Sequence, residues 1–538
     1  MIVSDRSLDR LAIGVLAIVA GIAAFTFRDY GLGWDDLTHA QYGQLLLNLY
    51  TSGFSDARAL SFVNLYMYGG GFDMGAALLS KILPIDLFET RRLFGAIVGL
   101  IGLAVTWRLA RRIGGPLAGL LALILLATTP HYYGHMFINP KDTPFAIAVA
   151  ILLIGLVRVI EDYPRPRAPA IGLVGLGVGL SIGSRILGLI TGLYVIVPFL
   201  ILIGADIRRA GMHPALRNLG LCVARLMLAL LLSIPIIALI WPWVATEPLN
   251  IVRAAGYFSH FFEKPWREMY EGNLIPVPDM PRGYVPKLFV LKTPELFLAL
   301  IFGAVAGTLT AIFNPRTQTR RRAILALILG AATLPILIAF ITRPAMYNGI
   351  RHFVFVFPPL AVLGGLAGAW VIEKLRGMPK PALFAAGCVA LVGIASPIAS
   401  MIRLHPYQYT HFNWLAGGIY DAEARFMLDY WGLAFKEASQ ALRTKLAETG
   451  EKPAHPGRWR IAVCGPHAPA EVELGPEFRL TWDPRGADFA LMLGEFYCAE
   501  LNAPLMVEVE REDVVFARVY DIRGHDITSL FTVAPLTR

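Results

Sequence analysis

Two adjacent carboxylates, Asp35 and Asp36, directly follow the first long apolar run of the chain. If this segment is helical, His39 and Tyr42 share a face with Asp35, because residues three and four apart are neighbours on a helix. A carboxylate and an imidazole on one face are candidates for general acid–base chemistry. One aspartate would be enough to cap the helix that follows, so the second carboxylate is left for another role.

A second polar cluster occurs in the stretch Asn139-Pro-Lys-Asp-Thr-Pro144, between two apolar runs. Charges at such positions are costly in a membrane and usually functional. A helix cap accounts for Asp142, since a proline two residues later suits the first helical turn. Capping does not account for Lys141, so we interpret Asn139, Lys141 and Asp142 as substrate-binding candidates.

Further candidates are Arg185, in a turn between two apolar runs, and Arg351 with His352, just before a late run. Arginine suits phosphate because its planar fork donates two parallel hydrogen bonds. The alternative is that each long side chain only reaches towards the lipid–water interface. Tyr284, in a segment rich in aromatic residues and proline, is a further candidate for substrate contact.

Carboxylates and cations of these types could together act on a phosphate-linked substrate that enters from the bilayer. A carboxylate would accept the proton of an attacking hydroxyl, while the cations would stabilise a phosphate leaving group. An ordinary aspartate, with a pKa of about 3.9, is a weak base. It suffices where the anomeric carbon has oxocarbenium character. The sequence implies no particular cofactor and leaves a requirement for a divalent metal open.

These residues must be positioned by membrane helices. Of the 538 residues, 56% are hydrophobic and 16% are charged, against about 25% charged in soluble domains. The composition and the apolar runs predict an all-α polytopic membrane protein with about eleven spans. The predicted spans lie near 10–27, 92–109, 117–129, 144–160, 169–184, 186–204, 219–241, 295–313, 323–341, 353–372 and 381–400.

Basic residues indicate how the spans are oriented. They cluster in loops that all fall on one side: Arg111-Arg112, Arg165 with Arg167, Arg208-Arg209 with Arg217, Arg316 with Arg320–Arg322, and Lys374 with Arg376 and Lys380. The positive-inside rule assigns that side to the cytoplasm. It accounts for the net charge of +9 better than nucleic-acid binding does. Asp35, Lys141 and Arg351 then lie on the opposite, extracytoplasmic side.

Residues 1–400 are predicted to form the membrane domain and residues 401–538 a small extracytoplasmic α/β domain. The first external loop, 28–91, is interpreted as two amphipathic helices around a glycine turn, and the loop 242–294 as ordered. A helix is predicted over 421–447, followed by short strands. The second domain shows no catalytic constellation and is either a structural lid or a substrate-recognition element. If it is extracytoplasmic, Cys464 and Cys498 could form a disulfide.

Over residues 10–370 the chain resembles the GT-C membrane glycosyltransferases, in the protein-mannosyltransferase-like family that includes the aminoarabinose transferase of lipid A. The matching pieces are Trp34-Asp-Asp36, the run from Arg91-Arg-Leu-Phe to Gly115, Thr129-Pro130, Asn139-Pro-Lys-Asp-Thr-Pro144 and Gly349-Ile-Arg-His-Phe353. Each motif alone is weak, whereas their order along the chain is specific.

The resemblance implies an inverting transfer of a sugar from a polyprenyl-phosphate donor to a hydroxyl of a lipid, glycan or protein. The reaction would take place on the extracytoplasmic face of a bacterial inner membrane. By the same resemblance Asp35 is the general base, Asp142 binds acceptor or donor, and Arg351 contacts the donor phosphate. Relatives often have Asp-Glu where this chain has Asp35-Asp36, which leaves open which of the two is the base.

A different class, a transporter or flippase of lipid-linked saccharides, is the alternative. Such proteins place charges near the bilayer midplane, on broken helices and within inverted repeats. Here the charges lie at one face and no repeat is evident, which favours the enzyme. A non-catalytic scaffold would leave the aspartate pair and the external arginines unexplained.

Overall fold

The computed structural model describes residues 4–260, 263, 265–453 and 457–537, and most of them are helical. Within these ranges nine helices are long and apolar enough to cross a membrane. In chain order the helices are α1 (Asp5–Thr26), α2 (Asp36–Thr51), α3 (Gly71–Leu79), α4 (Leu87–Ala127), α5 (Pro130–Ile138), α6 (Asp142–Asp162), α7 (Ala168–Ser184), α8 (Ile196–Ala210), α9 (Met212–Ile240), α10 (Pro242–Thr246), α11 (Asn250–His260), α12 (Tyr284–Lys292), α13 (Glu295–Phe313), α14 (Thr319–Thr342), α15 (Phe357–Leu375), α16 (Lys380–Arg403), α17 (Gly418–Glu423), α18 (Phe435–Thr449) and α19 (His467–Leu474).

All eleven predicted apolar runs are helical, although two of them differ from a simple span. The second and third runs are joined in α4, which bends at Gly115, a residue with a positive φ of 82°. The segment after the bend folds back, so that Gly119 lies against Trp107. The fifth run forms α7, which has only 17 residues. The mostly helical multi-span architecture predicted from composition is therefore confirmed.

The close packing of α6 against α7 positions two of the candidate residues. A side chain at Gly177 of α7 would overlap with the backbone of Leu152 in α6, so glycine permits this approach. Small residues serve the same purpose between membrane helices in general. Since α6 begins at Asp142 and α7 ends just before Arg185, these two charges meet at one end of the helix pair.

The loop 28–91 contains the two predicted helices, α2 and α3. The turn before α3 lies on the end of α7, where a side chain at Gly69 would overlap with the carbonyl oxygen of Gly183. This contact places α2, and with it Asp35 at the N-cap position, beside the start of α6 and the end of α7.

The C-terminal domain contains a five-stranded sheet with the order β4-β3-β5-β8-β7. The strands of the chain are β1 (Arg267–Tyr270), β2 (Asn273–Pro276), β3 (Trp459–Cys464), β4 (Phe478–Thr481), β5 (Phe489–Leu493), β6 (Glu500–Leu501), β7 (Leu505–Arg511), β8 (Val514–Asp521) and β9 (Phe531–Val533). Strands β4, β3 and β5 are parallel, whereas β8 is antiparallel to both neighbours. Cys464 and Cys498 form a disulfide.

The single helix predicted over 421–447 is wrong, because α17 ends at Glu423 and α18 begins at Phe435. Between them the buried carboxylate of Asp429 accepts hydrogen bonds from the backbone N–H groups of Gly432, Leu433 and Ala434. Gly432 has a φ of 75°, which a regular helix cannot contain. The resulting loop carries Tyr430 and Trp431 back to the membrane domain.

Candidate active site

A cavity of about 630 Å³ lies where α6 begins and α7 ends. Its wall is built from the first loop, the α5–α6 connection, the segment before α15 and the loop between α17 and α18. Eight of the eleven site residues predicted from the sequence line it: Asp35, His39, Asn139, Lys141, Asp142, Arg185, Arg351 and His352. Residues separated by more than 300 positions in the chain thus meet in one place.

The two adjacent aspartates have different environments. The Asp35 side chain is 47% exposed and faces the cavity, with one carboxylate oxygen 3.8 Å from the guanidinium of Arg351. Asp36 is 4% exposed and accepts hydrogen bonds of 3.0 and 2.7 Å from Arg92 and of 2.8 Å from the backbone N–H of Gly33. Asp36 is therefore a buried structural residue, and Asp35 is the carboxylate that a substrate can reach.

The environment of Asp35 favours its ionised form. Partial burial opposes the charge, but the nearby cations Lys141 and Arg351 outweigh this effect and lower the pKa of Asp35 below its usual value. Asp35 is thus a carboxylate throughout the neutral range. It can accept a proton or hold a cationic centre, and it cannot donate a proton.

His39 has an orienting carboxylate behind it. Its Nδ1 lies 2.6 Å from Asp73, and the other oxygen of Asp73 accepts a hydrogen bond of 2.7 Å from Arg91. Burial lowers the pKa of His39, against the opposing effect of Asp73. The imidazole is therefore neutral, with its proton on Nδ1. Its Nε2, which has no hydrogen-bond partner among the described residues, is left as a proton acceptor.

The α5–α6 connection contributes a fixed set of charges. Asp142 forms an ion pair with Arg185 and accepts a hydrogen bond of 2.9 Å from the amide of Asn139. The Lys141 ammonium lies 4.5 Å from the ring centre of Tyr68. Burial, partly opposed by Asp35, lowers the pKa of Lys141 to about 8. Arg185 is thus neutralised by its neighbour, whereas Lys141 is available to an incoming anion.

Arg351 is held between two aromatic rings. Its guanidinium carbon lies 5.5 Å from the ring centre of Tyr347 and 5.2 Å from that of Trp431, and the residue is 8% exposed. Stacking on aromatic faces fixes the plane of an arginine and leaves its edge free for hydrogen bonding. The arrangement presents a positioned cation beside Asp35.

Three predicted site residues do not line the cavity. Asp36 is paired with Arg92, as described above. Tyr42 is 1% exposed, and its hydroxyl donates to the carbonyl oxygen of Tyr68. Tyr284 is 2% exposed; its hydroxyl lies 3.4 Å from Glu268 and accepts a hydrogen bond from the N–H of Gly349. Both tyrosines therefore form hydrogen bonds with the backbone of loops that line the cavity, and neither faces the cavity itself.

Six aromatic residues of the cavity wall were not identified as site candidates from the sequence: Trp34, Tyr68, Trp266, Tyr347, Tyr430 and Trp431. Tyr347 could have been found, because it lies in the loop that immediately precedes the predicted site residue Arg351. Tyr430 and Trp431 gave no local signal, since their place in the wall depends on a contact between the two domains. Tyr430 also reaches behind the cavity, where its hydroxyl lies 3.2 Å from Nε2 of His135.

An apolar groove of about 750 Å³ adjoins the cavity and shares Tyr68, Arg185 and His352 with it. Its walls come from the turn after α7, the last turns of α14 and the segment leading into α15. They include Leu187, Leu189, Ile190, Pro335, Ile338, Ala339, Phe353 and Phe355. Within the described parts of the chain, no three His, Cys, Asp or Glu side chains lie close enough to hold a metal ion.

The fold and the site together define a class: a multi-pass integral membrane protein with a charged cavity at one membrane face, partly covered by a C-terminal sheet domain. Residues 74–241 match the model of a family described as dolichyl-phosphate-mannose-protein mannosyltransferase. A comparison with curated protein sequences finds no significant match.

Several solved structures are similar to this chain. Apo ArnT from Cupriavidus metallidurans is 15% identical, with 95% of this chain and 97% of that chain covered and a TM-score of 0.50. The same protein bound to undecaprenyl phosphate is 16% identical over the same shares, with a TM-score of 0.49. AglB from Archaeoglobus fulgidus, in complex with an inhibitory peptide and a dolichol-phosphate, is 13% identical over 90% and 69% of the two chains, with a TM-score of 0.45. The likeness to apo ArnT, together with the family match, confirms the resemblance to the GT-C membrane glycosyltransferases.

Proposed function

We propose that this protein is an inverting glycosyltransferase that moves a sugar from a polyprenyl-phosphate donor to a hydroxyl of a lipid, glycan or protein acceptor. The observation that carries the proposal is the junction of two cavities. A chamber with Asp35, Lys141 and Arg351 opens into an apolar groove at Arg185 and His352. An amphipathic ligand with an anionic group next to a long hydrocarbon chain fits such a junction.

In this proposal Asp35 accepts the proton of the acceptor hydroxyl as the hydroxyl oxygen bonds to the anomeric carbon. The bond between that carbon and the phosphate oxygen breaks, and the electron pair leaves with the phosphate. Lys141 and Arg351 stabilise the charge that develops there. A single displacement of this kind inverts the anomeric configuration, as in glycosidases that use a carboxylate as base. The neutral imidazole of His39 is available to accept a hydrogen bond from a sugar or acceptor hydroxyl.

Two observations support an extracytoplasmic site in a bacterial inner membrane. The clustered arginines lie at the opposite ends of the spans, where the positive-inside rule expects the cytoplasm. The disulfide between Cys464 and Cys498 is typical of an oxidising compartment. Other membrane lipids would then surround the site, and the sugar donor would enter along the apolar groove.

The alternative, a transporter of lipid-linked saccharides, has less support. The charged residues of the cavity lie at the ends of helices: Asp142 begins α6, Arg185 follows α7, and Arg351 begins the turn that leads into α15. None of these three lies at mid-membrane depth, where transporters place their binding residues.

The test is to incubate the purified protein with a panel of polyprenyl-phosphate sugars and an extract of envelope lipids, and to measure released polyprenyl phosphate and glycosylated acceptor. We expect one donor to be consumed only when acceptor is present, and no consumption with Asp35→Asn. Passage of an intact donor across vesicles without any transfer would instead support the transporter.

A further inference from the structure

A second, smaller groove lies at the opposite membrane end of the helix bundle from the catalytic cavity. Its volume is about 390 Å³, and it is formed by α4, α6 and α7. Asp142, in the catalytic cavity, and Arg158, in this groove, are 16 positions apart on α6, which corresponds to about 24 Å along a helix. The two sites are therefore separated by most of the thickness of a bilayer. The lining residues are Ile101, Ala104, Val105, Arg108, Arg111, Arg112, Ile154, Arg158 and Leu173.

Two of the four arginines in this groove have carboxylate partners. Arg111 donates two hydrogen bonds, of 2.6 and 2.7 Å, to Asp9 of α1. Arg112 pairs with Glu161 at the end of α6. These ion pairs hold α1 and α6 against α4. They also neutralise two of the four positive charges of the groove.

The other two arginines, Arg108 and Arg158, have no carboxylate partner among the residues that the structure describes. Arg108 lies over the ring of Trp107, with its guanidinium carbon 5.7 Å from the ring centre. Arg158 Nε is enclosed and makes no hydrogen bond within the described chain. The groove therefore carries an excess of two positive charges, one of them with an unsatisfied buried donor.

Arg158 lies too deep in the helix for its side chain to be explained as one that only extends to the lipid–water interface. It lies four residues before the end of α6, about 6 Å inside the helix terminus. An arginine that only extended towards the headgroup region would keep its guanidinium nitrogens in water. An enclosed, unpaired nitrogen is costly in a membrane unless a ligand completes its hydrogen bonding.

We propose that this groove binds the phosphate headgroup of an anionic phospholipid from the leaflet on the side predicted to be cytoplasmic. The phosphate carries one negative charge, which offsets one of the two unpaired positive charges, and it accepts hydrogen bonds from both Arg108 and Arg158. The aliphatic residues of the wall contact an acyl chain, and Ile101, which is 48% exposed, opens the groove towards lipid. The site does not depend on the proposed transferase reaction.

Native mass spectrometry of the full-length protein in detergent, with phosphatidylglycerol and phosphatidylcholine in competition, tests the proposal. We expect the wild type to retain phosphatidylglycerol preferentially and Arg108→Gln/Arg158→Gln to lose this preference by at least about tenfold, as is usual for removing two charge-assisted contacts. The control is Arg208→Gln/Arg209→Gln, whose exposed side chains lie in the last turn of α8 on the same side. An equal loss in both variants, or none in the first, overturns the proposal.

A second variant keeps the test decisive if the double glutamine variant folds poorly. Ala104→Phe fills the groove and leaves all four arginines in place. It should also lose the retained phosphatidylglycerol while its thermal unfolding without added lipid stays that of the wild type. Full retention of the lipid by a folded Ala104→Phe variant contradicts a site in this groove.

Discussion

The neighbouring aspartates Asp35 and Asp36 offer a matched pair of isosteric substitutions with opposite expected consequences. Each change to asparagine removes one negative charge and leaves the side-chain volume nearly unchanged. Asp35→Asn acts on a carboxylate that is 47% exposed in the cavity. Asp36→Asn acts on one that is buried against Arg92. The two variants therefore distinguish an effect on the reaction, expected for Asp35→Asn, from an effect on folding stability, expected for Asp36→Asn.

Asp36→Asn should destabilise the fold by about 3–5 kcal/mol, the usual cost of removing one partner of a buried ion pair. Arg92 is 3% exposed, so its charge cannot turn to water when its partner becomes neutral. Its other hydrogen bonds go to the carbonyl oxygens of Gly31 and Phe137, which do not neutralise it. The expected result is a clearly lower Tm in detergent, together with a loss of activity that follows the loss of folded protein.

Asp35→Asn should leave the Tm within about 1 °C to 2 °C of the wild type, because substitutions of exposed groups usually change stability by less than about 0.5 kcal/mol. The transfer rate should fall by roughly 10²- to 10⁴-fold, the usual contribution of a general base. That loss corresponds to about 3–5 kcal/mol in the activation barrier. The assay is release of polyprenyl phosphate at saturating donor, measured on folded protein only. Near-normal turnover of Asp35→Asn, or a fully stable but inactive Asp36→Asn, would refute the assignment of roles.

Three further outcomes are expected. Arg351→Gln should raise the donor KM by about tenfold or more, since a charge-assisted contact to phosphate is lost, and should leave the acceptor KM unchanged; donor titrations check this. Because the pKa of Lys141 is about 8, donor binding should weaken as the pH rises through 8 and the ammonium loses its proton, and Lys141→Arg should remove this alkaline limb. Asp73→Asn should switch His39 to its other tautomer, in which Nε2 carries the proton, and kcat should then fall as much as it does in His39→Phe. An unaffected kcat in both variants would exclude a role of Nε2.

Much of the membrane domain follows from composition alone. A span needs about twenty apolar residues, and this local requirement located all eleven apolar runs, each of which is helical in the structure. The errors occur where a distant contact or one special residue decides the structure. Two predicted runs lie in α4, on either side of the bend at Gly115. The buried carboxylate of Asp429 holds a loop within a stretch that has the composition of a helix. Neither effect appears in a hydropathy profile.

For the candidate site, the sequence predicted the charged residues better than the aromatic ones. Lys141, Arg185 and Arg351 are recognisable because a charge between apolar runs is unusual in itself. Trp431 and Tyr430 have no such signal. They reach the cavity only because the C-terminal domain packs on the membrane domain, a contact that no local pattern encodes.

The roles of Asp35 and Asp36 could not be separated from the sequence for a related physical reason. Consecutive residues at the start of a helix point about 100° apart, so one of them must face the protein when the other faces the cavity. Which one does so is decided by α4, whose consecutive arginines hold the two sides of the first loop. Arg92 binds Asp36, and Arg91 binds Asp73 behind His39. Because both arginines are engaged inside the protein, they orient the proposed acid–base residues, and in the proposed reaction phosphate binding is left to the cations of the cavity wall.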